Sequence, residues 1–158
     1  LPEAQLDRFF FQILIKYPDA AQEVEILRRT GGLAMPVPEV LLDAEQVIAL
    51  QNAVTEIPVP EHVYEAIVRL VQSTRPESAS APDYIRSYLA WGAGPRASQC
   101  LLRAARALAL LRGQTSVSVE EVREVMRPVL RHRLIPNYNA TGEGVSVEDI
   151  LGRLQESL

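Results

Sequence analysis

Arginine is the residue type in this chain whose placement could do chemistry. In "GAGPR", Arg96 follows a glycine-containing turn and Pro95, a residue tolerated at the first position of a helix. Its guanidinium and the unpaired first-turn N–H groups would therefore both face an anion. The helix dipole disfavours an exposed cation at that end by about 0.3 to 1 kcal/mol, so an anionic partner is the better reading of Arg96 than a solvated side chain. Arg8, in "LDRF", has Asp7 and Glu3 nearby. On the residues alone, a surface ion pair of little energetic weight is its expected role. Arg123, Arg127 and Arg131 recur every four residues as a basic stripe, either a solvated helix face or a contact to an acidic neighbour.

Other reactive side chains point to less. His62 and His132 are far apart and lack acidic or thiol support, so no metal site is expected, and each reads as a surface or helix-end histidine. Cys100 is alone, which excludes a disulfide framework and fits a small buried hydrophobe in a reducing, cytoplasmic setting. The formal charge of −4 argues against a nucleic-acid partner, although only Lys16 among the 16 basic residues is a lysine, a bias compatible with phosphate recognition. No apolar run reaches the ~18 residues of a membrane span, and the first residues do not read as a signal peptide.

Helices must position these side chains. Asp19 is a plausible N-cap for a helix in which Val24 and Leu27 share a face and a glycine pair follows the closing arginines. Residues 33–42, with Pro36 and Pro38, read as a connector. Asp43 caps a second helix with Val47, Leu50 and Val54 on one side. Pro60 opens a third, whose apolar stripe is Val63, Tyr64, Ile67, Leu70 and Val71. "RPESASAPD" is an exposed loop rather than a domain boundary. Beyond it, Pro95 starts a helix with Ala97, Leu101, Ala104, Leu108 and Leu111 on one face, ended by Gly113. Ser118 and Glu121 form a capping box for the next helix, with Val122, Val125 and Val129 inward and a bend at Pro128. Ser146 caps the last helix. Trp91 and Tyr88 read as core packing. Phe9 to Lys16 is the exception to this helical pattern: it is β-prone and apolar on both faces, as in a parallel strand buried between helices.

Three stretches in order, "LPEAQLDRFFF", "GAGPRASQCLLRAARALALLRG" and "VLRHRLIPNY", resemble the C-terminal part of a MoxR-type AAA+ ATPase, and the likeness covers nearly the whole chain. The resemblance implies an all-α fold, the helical bundle of an AAA+ lid domain, preceded by a short helix and one orphan β-strand from the ATPase core. Residues 1–17 would be the remnant of that core and 18–158 the lid. Arg96 would be the sensor 2 arginine, contacting the γ-phosphate within its own subunit. The family more often reads G-A-S-P-R, so Gly94 stands where a capping serine is usual. Arg8 would be the arginine finger, supplied in trans to the next subunit's nucleotide.

The same resemblance implies ATP and Mg in the full-length protein and none for these 158 residues, which contain no G-x-x-x-x-G-K-S/T stretch and no Walker B acidic pair and should not themselves hydrolyse ATP. The implied partners are the chain's own AAA+ core, neighbouring subunits of a hexameric ring, client proteins and, often in the family, a protein bearing a von Willebrand factor A domain. The implied work is chaperone-like remodelling or metal-cofactor maturation of clients. A lid from a chelatase or helicase-like motor of the same clade, or a non-enzymatic helical interaction module, are the alternatives. A P-loop upstream would exclude the last.

Overall fold

The computed structural model describes residues 3–32 and 37–158, with the side chains of Glu3 and Ala4 outside that description. Four of the expected helix starts carry the expected cap. Asp19 opens α2 (Ala20–Thr30), Asp43 opens α3 (Ala44–Glu56), Ser118 opens α7 (Val119–Leu130) and Ser146 opens α9 (Val147–Glu156), each in a reciprocal capping box. Ahead of them, α1 (Glu3–Leu6) is a single turn. Pro60 is the N-cap of α4 (Glu61–Ser73), and Pro95 takes the first position of α6 (Pro95–Leu111). Gly113, at φ 66°, provides the left-handed turn after α6 that a side chain would resist.

The core is built by α4, α6, α7 and α9. Ala97, Ala104, Ala105 and Ala109 give α6 a face of small side chains, which lets α7 lie close against it, and α4 and α9 close the bundle around Leu101, Met126, Leu130, Leu151 and Leu154. Each of those five larger side chains is completely or almost completely removed from water, about 1.5–3 kcal/mol of transfer free energy apiece. Arg112, just past α6, ties it to α7 by reaching Glu124 at 2.6 Å and the buried Glu121 at 3.4 Å. Two short helices, α5 (Asp83–Tyr88) and α8 (Tyr138–Glu143), pack on each other at one end.

The all-α class holds, and the only sheet among the described residues is a two-stranded antiparallel one, β1 (Leu89–Trp91) with β2 (Ile135–Pro136). Its position matters more than its size. It fastens the loop leading into α6 to the loop leaving α7, and so places residues 92–96 beside residues 131–134.

Several expectations need correction. Residues 9–16 are not a strand, because no neighbouring strand lies along them among the described residues; their backbone groups bond to the end of α7 instead. Trp91 is 71% exposed rather than core, since the pairing slips between Leu89 and Trp91 and the tryptophan turns outward while Leu89 takes the inward place. Leu111 and the apolar residues of α2 and α3 (Val24, Leu27, Val47, Leu50) are also exposed. The spacing is helical as expected, but contact with α6 reaches only the C-terminal end of α3, where Val54 is half-buried, and leaves Val47 and Leu50 in water. Of the connector, residues 33–36 lie outside the described residues, and 37–43 carry no regular element. Buried side chains begin at Val63, and none precedes it among the described residues.

Candidate functional site

Arg96 is the second residue of α6, and the structure supplies the anion its position calls for. Its Nη1 donates to Oδ2 of Asp7 at 3.1 Å, from 89 positions along the chain. The N-cap, Gly94, contributes no side-chain bond, so the first amides of α6 have no internal side-chain acceptor. The turn that aims them is tightly held. Thr74 Oγ1 accepts from the Ala93 amide at 2.9 Å, and Arg75 Nε donates to the Ala93 carbonyl at 3.0 Å. Gly92 lies against this end of α4 so closely that a Cβ there would stand 2.3 Å from the Thr74 carbonyl oxygen. The "GAG" of the sequence is thus a close backbone approach at its first residue and an open N-cap at its last.

On the facing side, the chain leaving α7 grips the turn after α1. Arg131 Nη1 donates to the Gln12 carbonyl at 2.6 Å, and the Gln12 amide donates to the Pro128 carbonyl at 2.9 Å. His132 Nε2 lies 3.1 Å from the Phe9 carbonyl, so it must carry the proton, leaving Nδ1 buried without a partner among the described residues. Burial holds the His132 imidazole below its ordinary pKa, and the Arg133 and Arg131 cations add to this, against the opposing pull of the Phe9 carbonyl and Asp7. Arg133 is 5% exposed and donates from Nε to Asp7 Oδ1 at 2.9 Å. Asp7 therefore bridges a half-exposed arginine and a buried one.

Between these walls opens a cleft of about 550 Å³, floored by Gly92 and Gly94 and edged by Asp7, Trp91, His132 and Arg133. Its charged lining is Asp7 and Arg133, and Arg96 reaches the same carboxylate from the start of α6, an arrangement in which a phosphate-like anion could take the place of Asp7 at Arg96.

Arg8 follows Asp7 directly. It is exposed, its amide donates to the Gln5 carbonyl at 3.1 Å, and among the described residues its side chain makes no hydrogen bond or ion pair. Of the two ion-pair partners that the sequence alone offers Arg8, Asp7 is taken by Arg96 and Arg133, and the side chain of Glu3 lies outside the described residues. Of the basic stripe, Arg127 and Arg131 meet Glu148 on α9, while Arg123 pairs with Glu120 on its own helix. Among the described residues no group of three acidic, histidine or cysteine side chains could hold a metal. Among the described residues no helix is long and apolar enough to cross a membrane. Cys100 is buried, and His62 lies exposed on α4.

The site residue that sequence reading passed over is Arg133. It sits in the "RHR" of the third family-like stretch, but beyond the end of the helix it carries no periodicity, and most of its acceptors, the Asp7 carboxylate and the Asp7, Phe9 and Phe10 carbonyls, lie more than 120 positions away.

Residues 83–154 match the family model of the AAA lid domain. The whole chain is 37% identical to the Chaperone MoxR1 of Mycobacterium tuberculosis, covering 42% of that protein, and 30% identical to the uncharacterized protein YeaC of Bacillus subtilis, covering 47% of it. A crystal structure from Cytophaga hutchinsonii, of a protein described as an ATPase candidate, superposes over the full chain with a TM-score of 0.92 at 31% identity, and the match covers 48% of that protein. The chain spans less than half the length of these relatives. It is a homologue of the MoxR-type AAA+ proteins along its whole length, and it carries an AAA lid domain at residues 83–154.

Proposed function

We propose that these residues are the nucleotide-responsive C-terminal part of a MoxR-type AAA+ ATPase, which as a full-length enzyme couples ATP binding and hydrolysis to chaperone-like remodelling or metal-cofactor maturation of client proteins. The observation that carries this reading is the placement of Arg96 in the first turn of α6, over an N-cap with no side chain, with an exchangeable carboxylate as its partner. A phosphate oxygen arriving from the core of the same subunit replaces Asp7 at Arg96, as sensor 2 chemistry requires. Arg8, with no partner among the described residues and adjacent to Asp7, is the arginine finger offered to the next subunit of a hexameric ring. Mg and the phosphate cradle belong to the part of the protein outside these 158 residues. Residues 1–17 belong with that ATPase core, which covers the exposed Phe9, Phe10, Phe11, Ile13 and Ile15, and the lid runs from residue 18 onward. A partner with a von Willebrand factor A domain and a cytoplasmic setting complete the proposal.

The test is made in the full-length enzyme. Arg96→Ala should weaken ATP binding, whereas Arg8→Ala should leave binding nearly intact and lower turnover, because a contact made chiefly in the transition state affects rate more than affinity. Unchanged ATP affinity in Arg96→Ala would overturn the sensor role.

A further inference from the structure

Arg133 spends most of its hydrogen bonds outside the domain that contains it. Its Nε reaches Asp7 Oδ1 at 2.9 Å, and its Nη2 reaches the Asp7 carbonyl at 3.0 Å and the Phe9 carbonyl at 2.6 Å. Nη1 reaches the Phe10 carbonyl at 3.4 Å, and the carbonyl of Val129 as well. Within the lid its remaining partner is Cys100 Sγ, 3.5 Å from Nη2. The side chain itself is 1% exposed. A guanidinium buried to that degree is costly unless it is paired and its donors are filled, and here all three nitrogens are engaged, with Asp7 supplying the charge. The acceptors bracket Arg8 on both sides, Asp7 before it and Phe9 and Phe10 after it. His132 and Arg131 continue the same grip on the Phe9 and Gln12 carbonyls.

We propose that Arg133 is a positioning residue for Arg8. It clamps the Asp7–Phe10 turn to the end of α7, so that the turn bearing the finger is held against the lid and Arg8 is presented at a fixed place. The catalytic half of this inference rests on the finger reading of Arg8, and the clamp itself does not. Lysine cannot replace the fork, since its three donors radiate from one atom whereas five separate acceptors on four residues are served here along three nitrogens. Because Asp7 also holds Arg96, the clamp joins the nucleotide-facing start of α6 to the finger turn through one carboxylate.

The experiment uses the full-length enzyme with Arg133→Lys, Arg133→Gln and Asp7→Asn, the last of which keeps the shape of a partly exposed residue should the buried substitutions impair folding. Amide hydrogen exchange is followed at residues 8–12 and on α6 and α7, beside ATPase kinetics. The expected result is faster exchange at 8–12 with α6 and α7 unchanged. ATPase kcat should fall on the order of 10- to 100-fold with little change in KM, as for a misplaced catalytic group. Combining Arg133→Gln with Arg8→Ala should lower kcat no further than Arg8→Ala alone. Unaltered exchange at 8–12 in every variant would overturn the clamp. Faster exchange with multiplicative losses in the double variant would overturn its action through Arg8. A kcat insensitive to Arg8→Ala would instead remove the finger reading, while the exchange data would still decide the clamp.

Discussion

The carboxylate of Asp7 lies 3.1 Å from the guanidinium of Arg96 although 89 positions separate them in the chain, and this ion pair joins the turn after α1 to the first turn of α6. Asp7 bonds to Arg133 through its other oxygen, and the two contacts differ in environment: Arg96 is half exposed and Arg133 is buried. Charge-assisted bonds are worth about 1.5–3 kcal/mol when sheltered and much less when wet. Asp7→Asn should therefore destabilise the fold by about 1–3 kcal/mol. In double-mutant cycles read by urea unfolding, most of that loss should disappear against Arg133→Gln and little of it against Arg96→Ala. Equal coupling to both arginines would contradict the unequal burial.

The two glycines flanking Ala93 should respond oppositely to substitution. Gly92→Ala forces a methyl group to 2.3 Å from the backbone of Thr74, which cannot swing aside as a side chain can. A loss of about 1–3 kcal/mol is expected, as for other overpacked sites. Gly94 has an ordinary extended backbone, φ −86° and ψ 178°, and open space where a Cβ would go. Gly94→Ser should fit and gain a few tenths of a kcal/mol by capping α6. Thermal unfolding of the two variants checks both signs.

Two windows of pH dependence follow from buried groups. The His132 imidazole is held below the ordinary histidine pKa of about 6.5, chiefly by burial. As pH falls through about 6.5 the unfolded chain takes a proton that the native chain refuses, so stability drops toward the native pKa and is level above 6.5. His132→Gln should flatten this step. Burial pushes Glu121 up, but hydrogen bonds led by the Ser118 hydroxyl and amide together outweigh it, and the net direction is below the ordinary glutamate range of about 4.5. Its contribution is present above 4.5 and is lost as pH falls further, giving a second, more acid step that Glu121→Gln removes. Urea titrations across pH 3 to 8 separate the two.

Local signals were the legible part of this fold. Asp19, Asp43, Ser118 and Ser146 cap helices because capping depends on residues three positions apart, and Gly113 stops α6 through its own backbone. Burial was less legible. Val24, Leu27, Val47 and Leu50 have helical spacing, but what covers them is not set by spacing. The reading of Phe9 to Lys16 as a strand failed for the same reason: β-propensity describes a residue's fit to a sheet, and these backbone groups found Arg131, His132 and Arg133 instead. Arg96 could be singled out because a helix start with proline before it is a short-range pattern. Asp7 and Arg133 could not, since each acquires its role only through partners 89 to 126 positions away along the chain.

The measurement that bears most directly on the proposed function is complementation in mixed rings of the full-length enzyme. Subunits carrying Arg8→Ala are combined with subunits lacking the Walker B acid, each nearly inactive alone, and ATPase activity is followed as a function of mixing ratio. A finger acting across the subunit boundary, worth roughly 10³ to 10⁵ in rate, predicts activity restored at interfaces where an intact Arg8 faces an intact nucleotide site. No restoration at any ratio, together with weakened ATP binding by Arg8→Ala alone, would contradict the assignment of Arg8 as the residue supplied in trans.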